Sequence, residues 1–62
     1  MPIITFDGPK LTREQKANLV KEFTKIASQV TQIPEQAFVT LIREMEPDNV
    51  GSGGQLLSDK QK

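Results

Sequence analysis

The chain has 62 residues, eight basic and eight acidic, for a net charge of zero, with no cysteine and no histidine. That excludes disulfide staples and the usual zinc sites, and it speaks against nucleic acid, which asks for a basic patch and aromatic stacking platforms where this chain has neither Trp nor Tyr. One short domain over residues 1–62 buries too little surface to be comfortable alone, so self-association is the remaining source of stability.

No apolar run approaches a membrane span and no signal-peptide pattern is visible, so the expected setting is the cytoplasm and no membrane partner is expected. No metal or cofactor site is expected either.

The first predicted element is a strand over residues 2–7, with Ile4 and Phe6 on one side and Ile3 and Thr5 on the other. Apolar residues on both sides fit a strand covered on both faces. Asp7-Gly8-Pro9 then ends it as a turn. Pro2 is the residue of interest here. Removal of Met1 would leave the chain starting with a secondary amine at the head of an apolar strand. An α-amine titrates near about 8, and desolvation or nearby positive charge lowers that. A neutral amine near pH 7 serves as a general base. The plainer account is that proline at the start of a strand avoids a wasted hydrogen-bond donor.

A helix is expected from Thr12. Thr12-Arg13-Glu14-Gln15 fits a capping box, in which the Thr hydroxyl and the Gln side chain satisfy free amide donors reciprocally. Leu19, Val20, Phe23, Ile26, Ala27 and Val30 make one apolar stripe at spacings of three and four. Lys16, Lys21, Glu22 and Lys25 read as solvated charge. The helix should fade by Thr31, because Pro34 disfavours helical geometry at Ile33.

Residues 37–45 form the second predicted strand. Phe38, Thr40, Ile42 and Glu44 share one face; Val39, Leu41, Arg43 and Met45 share the other. Strand, helix, strand predicts a right-handed crossover and a parallel pair. One helix covers one sheet face, so the other face is expected to meet further copies of the chain. Val50-Gly51-Ser52-Gly53-Gly54 reads as a tight hairpin or interface turn. It fails as a phosphate loop, because no Lys-Ser/Thr follows and no long helix opens there. Residues 55–62 read as a tail, with Leu56 and Leu57 docked on a neighbour.

Taken together, Pro2-Ile3, Glu14-Gln15-Lys16, Pro34, Ile42 with Glu44-Met45, and Gly51-Ser52-Gly53-Gly54-Gln55-Leu56 resemble the 4-oxalocrotonate tautomerase family over nearly the whole chain. The resemblance implies an α/β (α+β) fold: a single βαβ unit with parallel strands plus a C-terminal hairpin or tail. It also implies assembly into a homo-oligomer, commonly a hexamer built as a trimer of dimers. It implies chemistry in which the N-terminal proline moves a proton within an unsaturated 2-hydroxy or 2-oxo acid, a small molecule handled without a cofactor. One amine acting as base and then as acid suits such a shift.

The sequence departs from that pattern where the family's well-studied enzymes carry two arginines and an aromatic residue. Leu11, Val39 and Val50 stand there instead, which bears against a dicarboxylate substrate. Three basic residues are substitutes. Lys10 is one position from the first missing arginine, and also reads as a solvated loop charge. Arg43 shares a face with Val39, four residues along and roughly 13 Å away. It equally suits a pairing with Glu44 or Glu46 of a neighbouring copy. Arg13 sits in the first helical turn, where the helix dipole disfavours a cation, and reads as surface. The candidate site is therefore Pro2 as catalytic base and acid, with Lys10 and Arg43 binding substrate. Two alternatives stand beside it: a hydratase, dehalogenase or decarboxylase-like reaction using one of Asp7, Glu44 or Glu46, or an assembling protein without activity.

Overall fold

A computed structural model describes residues 1–60. Strand β1 runs Ile3–Gly8, helix α1 Arg13–Thr31, strand β2 Val39–Glu44, short strands β3 Gly51–Ser52 and β4 Gln55–Leu56, and a closing helical turn α2 Leu57–Lys60. β1 and β2 pair in parallel, with Ile3 opposite Val39 and Asp7 opposite Arg43. β3 and β4 form a separate antiparallel hairpin. The βαβ unit with a C-terminal hairpin is the expected architecture.

The capping box forms as the sequence predicts. Gln15 N–H donates to the Thr12 hydroxyl at 3.1 Å, and Thr12 N–H donates to Gln15 Oε1 at 3.0 Å. At the other end, Gln32 closes α1 in the left-handed region at φ 62°, donating its N–H to Ser28 O at 2.9 Å. The Ser28 hydroxyl then donates to Ile33 O at 2.6 Å, turning the chain away before Pro34.

α1 lies on the sheet face that carries Ile4, Phe6, Phe38, Thr40 and Ile42. The rings of Phe6 and Phe23 meet at 6.1 Å in a tilted arrangement. Phe6 also lies across Gly8, where an added Cβ would come within 2.7 Å of the ring, so a side chain there would have to displace that ring.

Several expectations need correction. β2 begins at Val39 rather than at residue 37, because Glu35–Ala37 after Pro34 form a 3-10 turn. Residues 55–60 are not a loose tail: Gln55–Leu56 pair in the hairpin and Leu57–Lys60 turn helical. The last two residues of the expected tail, 61 and 62, lie outside the described residues. The Leu57 N–H donates to Val50 O at 2.7 Å, which ties the start of α2 back to the hairpin. The apolar stripe of α1 is only partly used: Leu19, Phe23 and Ala27 are half-buried, whereas Val20, Ile26 and Val30 stay exposed. The hairpin turn is as expected, with Gly53 and Gly54 both at positive φ, 62° and 85°. Two successive residues of that kind make the two-residue turn whose twist matches paired strands.

The second sheet face is uncovered in one chain. Ile3 is 56 % exposed and Leu41 48 % exposed. Among the described residues no side chain is fully buried. The accessible surface is 4966 Å², against about 4,000 Å² for a compact protein of this mass. The radius of gyration is 15.0 Å, against about 11 Å for a compact domain of this length. Roughly a fifth of the surface of one chain is thus in excess of what a self-contained fold would leave.

Candidate active site

Pro2 sits at the head of β1. Its carbonyl accepts a hydrogen bond from Val39 N–H at 3.0 Å, which extends the β1–β2 ladder by one residue. Pro2 is half-buried, while Met1 before it is 85 % exposed. The nitrogen that would become the free amine therefore lies at the sheet's end beside Val39, and the residue blocking it stands out in solvent.

The other end of the sheet holds the charged groups. Met45 N–H donates to Gly8 O at 2.8 Å, closing the ladder there. Across that end Arg43 grips Asp7 as a fork, Nε to Oδ1 at 2.6 Å and Nη2 to Oδ2 at 3.1 Å. The register explains it, since Asp7 and Arg43 are direct partners on the open face. Arg43 is thus paired with a carboxylate of its own chain.

On the helix face of the same end, Glu44 Oε2 accepts from Leu11 N–H at 3.0 Å and pairs with Lys16 Nζ at 2.8 Å. Lys16 is therefore not simply a solvated charge: it and Glu44 tie the loop between β1 and α1 to β2. The hydrogen bond from Lys16 and then that from Leu11 hold the Glu44 carboxyl below its usual range; desolvation opposes them, and the positive charges of Lys16 and Lys10 add smaller lowering effects. A lowered folded value means the stabilisation is present above the unfolded value of about 4.3 and fades as pH falls through the folded one. Glu44→Gln is accordingly expected to lower the urea midpoint at pH 7. The gap to the parent protein should close progressively below about pH 4.3, at one fixed protein concentration.

Between the end of β1 and the C-terminal hairpin lies an open groove of about 940 Å³. Lys10 lines it, with Asp7, Glu46, Met45, Val50 and Leu57 among its other walls. A second depression of about 720 Å³ runs along the flank of α1 past Val20, Thr24 and Ser28, and is more open and more polar. Among the described residues no group of acidic, His or Cys side chains is arranged to hold a metal.

Of the three predicted site residues, one chain brings Lys10 and Arg43 to the same end and leaves Pro2 at the other. β1 has six residues, so the separation is roughly 20 Å. Sequence reasoning left Asp7, Glu44 and Glu46 equivalent, and the fold separates them. Asp7 is taken by Arg43 and Glu44 by Lys16 and Leu11, while Glu46 faces the groove.

The model of the tautomerase family, described as tautomerase enzyme, matches residues 2–60. The chain belongs to the 4-oxalocrotonate tautomerase family. Solved structures of relatives superpose closely on this chain. YwhB, a homologue of 4-oxalocrotonate tautomerase, is 36 % identical with a TM-score of 0.87, the match covering 94 % of this chain and 97 % of that one. DmpI from Archaeoglobus fulgidus is 34 % identical with a TM-score of 0.85, covering 94 % and 100 %. A 4-oxalocrotonate tautomerase isozyme structure from Methylibium petroleiphilum is 26 % identical with a TM-score of 0.89, covering 97 % and 95 %. No curated protein matches the chain. The family and these relatives support chemistry of the tautomerase type. Among the described residues no helix is long and apolar enough to cross a membrane.

Proposed function

We propose that this tautomerase interconverts the enol or dienol and the keto form of an unsaturated 2-oxo acid in the cytoplasm, with the Pro2 amine, freed by removal of Met1, as both base and acid. The nitrogen lone pair takes the proton of the 2-hydroxyl group. The oxygen's electrons form the carbonyl, the double bonds shift along the chain, and the distant carbon takes the proton back from the pyrrolidinium. No atom is gained or lost, which is why one group suffices. Negative charge gathers on the carbonyl and carboxylate oxygens during the step, and a fixed cation stabilises it. Lys10 is the cation assigned to that task, since Arg43 reaches a substrate only by exchanging it for Asp7.

The observation that carries this reading is the position of Pro2: held at the sheet's end through its carbonyl, half-buried, with only a solvent-exposed methionine ahead of it. The separation of Pro2 from Lys10 adds a requirement. The working site is made between copies, with Pro2 of one chain brought to the groove of another, and the uncovered sheet face is the surface for that assembly. A hexamer built as a trimer of dimers is the arrangement that the family resemblance favours.

The test begins with the intact mass of the purified protein. A mass lacking one methionine, together with ketonisation of simple 2-hydroxydienoates followed by ultraviolet absorbance, is the expected pair of results. A terminus still bearing Met1 and no ketonisation would leave an assembling protein without this activity.

A further inference from the structure

We propose that the groove beside Lys10 selects 2-hydroxydienoates bearing one carboxylate and an apolar far end, with Lys10 holding the single carboxylate and Glu46 turning a second one away. The proposal rests on the tautomerase reading above and names its substrate class.

The charge inventory of the groove carries it. Three charged side chains line the walls: Asp7, Lys10 and Glu46. Asp7 spends both oxygens on the fork from Arg43, so the pair offers the groove no net charge. Among the described residues, Lys10 makes no ion pair and Glu46 no side-chain hydrogen bond; Lys10 acts on its surroundings through its field at Glu44. The groove therefore presents one available cation and one available anion. The other side chains of the groove are mostly apolar, Met45, Pro47, Val50 and Leu57, with one neutral amide at Asn49. A diacid would have its first carboxylate at Lys10 and its second on that apolar wall or near Glu46. Neither place offers a second cation: the Asn49 amide is a neutral donor, which compensates a buried carboxylate less than a charge would, and a carboxylate brought beside Glu46 meets a like charge. An alkyl or aryl end in the same place removes apolar surface from water at no electrostatic cost. The charge of Glu46 is close enough to solvent that its effect is moderate, on the order of tenfold in selectivity.

The experiment compares two dienols that differ only at the far end, 2-hydroxy-5-phenylpenta-2,4-dienoate and 2-hydroxyhexa-2,4-dienedioate. The expected kcat/KM of the phenyl compound is at least about tenfold the higher. Glu46→Gln should reduce that ratio by about tenfold, and Glu46→Lys should reduce it further or reverse it. Lys10→Ala should raise KM for both with a smaller change in kcat. A preference for the diacid in the parent protein, or a ratio unmoved in both Glu46 variants, would overturn the proposal. Should neither dienol react, the tautomerase reading falls and selection is read by calorimetry with the unreactive acids 5-phenylpenta-2,4-dienoate and hexa-2,4-dienedioate. Tighter, Lys10-dependent binding of the monoacid then supports the groove's selectivity on its own, and equal binding of the two ends it. Sedimentation of each variant alongside the parent checks that the assembly is unchanged.

Discussion

Replacing Pro2 by alanine is expected to lower ketonisation of a 2-hydroxydienoate by about 10² to 10⁴-fold, the range that a positioned acid or base supplies. Alanine after methionine is also compatible with methionine removal, so the variant still begins with an amine of similar basicity. What it loses is the ring. The pyrrolidine fixes φ near −65° and holds the nitrogen in one direction relative to the strand. The Pro2 carbonyl is anchored by Val39 N–H, so that direction is transmitted from the sheet to the lone pair. A primary amine on alanine rotates freely, and base and substrate lose their alignment. KM should change less than kcat, because the amine acts on the proton and Lys10 on the carboxylate. A second arm separates orientation from basicity. Acetylating the mature terminus leaves the ring in place and removes the lone pair, and activity should then fall to the background rate. Equal rates for parent, alanine and acetylated proteins would remove Pro2 from the mechanism.

The pieces of this fold that could be read ahead are those with local causes. The capping box at Thr12 and Gln15 is four residues long and reports itself. The Gly53-Gly54 turn needs only two positive φ values. The division of β2 into two faces follows from the period of a strand alone, and the structure keeps Thr40 and Ile42 against α1 and Val39 and Leu41 away from it. The start of β2 was illegible for a physical reason. Glu35-Gln36-Ala37 carry no apolar period, and what bends them into a 3-10 turn is a pair of backbone bonds, Ala37 N–H to Pro34 O and Phe38 N–H to Glu35 O. Leu57–Lys60 is likewise too short to show a helical period.

The site divides the same way. The place of Pro2 at the head of β1 is legible because the strand that follows it fixes it, whereas the role proposed for its amine depends further on another copy. The fate of each charge depends on register and on contacts between elements. Asp7 meets Arg43 only because Ile3 pairs with Val39 and the ladder carries that offset along the strands. Lys16 looked like surface because a helix wheel cannot see Glu44 arriving from β2. With the parallel register set by Pro2 and Val39, the Asp7–Arg43 fork follows, and Lys10 and Arg13 remain as the candidate cations without an ion pair among the described residues.

The substitution Leu41→Lys tests the assembly, and its expected effect is loss of both oligomer and fold. Leu41 lies on the uncovered face, opposite Thr5 in the ladder and 48 % exposed in one chain. If that face is closed by another copy, the leucine contributes about 1.5–3 kcal/mol when fully buried, and a lysine there adds the cost of an unpaired charge taken from water. A domain of this size has little stability to lose, since unfolding free energies run at about 0.05–0.15 kcal/mol per residue. Sedimentation at micromolar concentration should find small species in place of the assembly, with helical circular dichroism reduced and ketonisation gone. Asn18→Lys places the same charge on the exposed side of α1 and should leave assembly and activity as they were. A Leu41→Lys protein that still sediments as the parent would mean that the copies meet through another surface. The Ile3, Val39 and Leu41 face would then have to be free in the working protein. In that case Pro2 of one chain is not carried to the groove of another by this face, and the roughly 20 Å between the amine and Lys10 would need a different bridge.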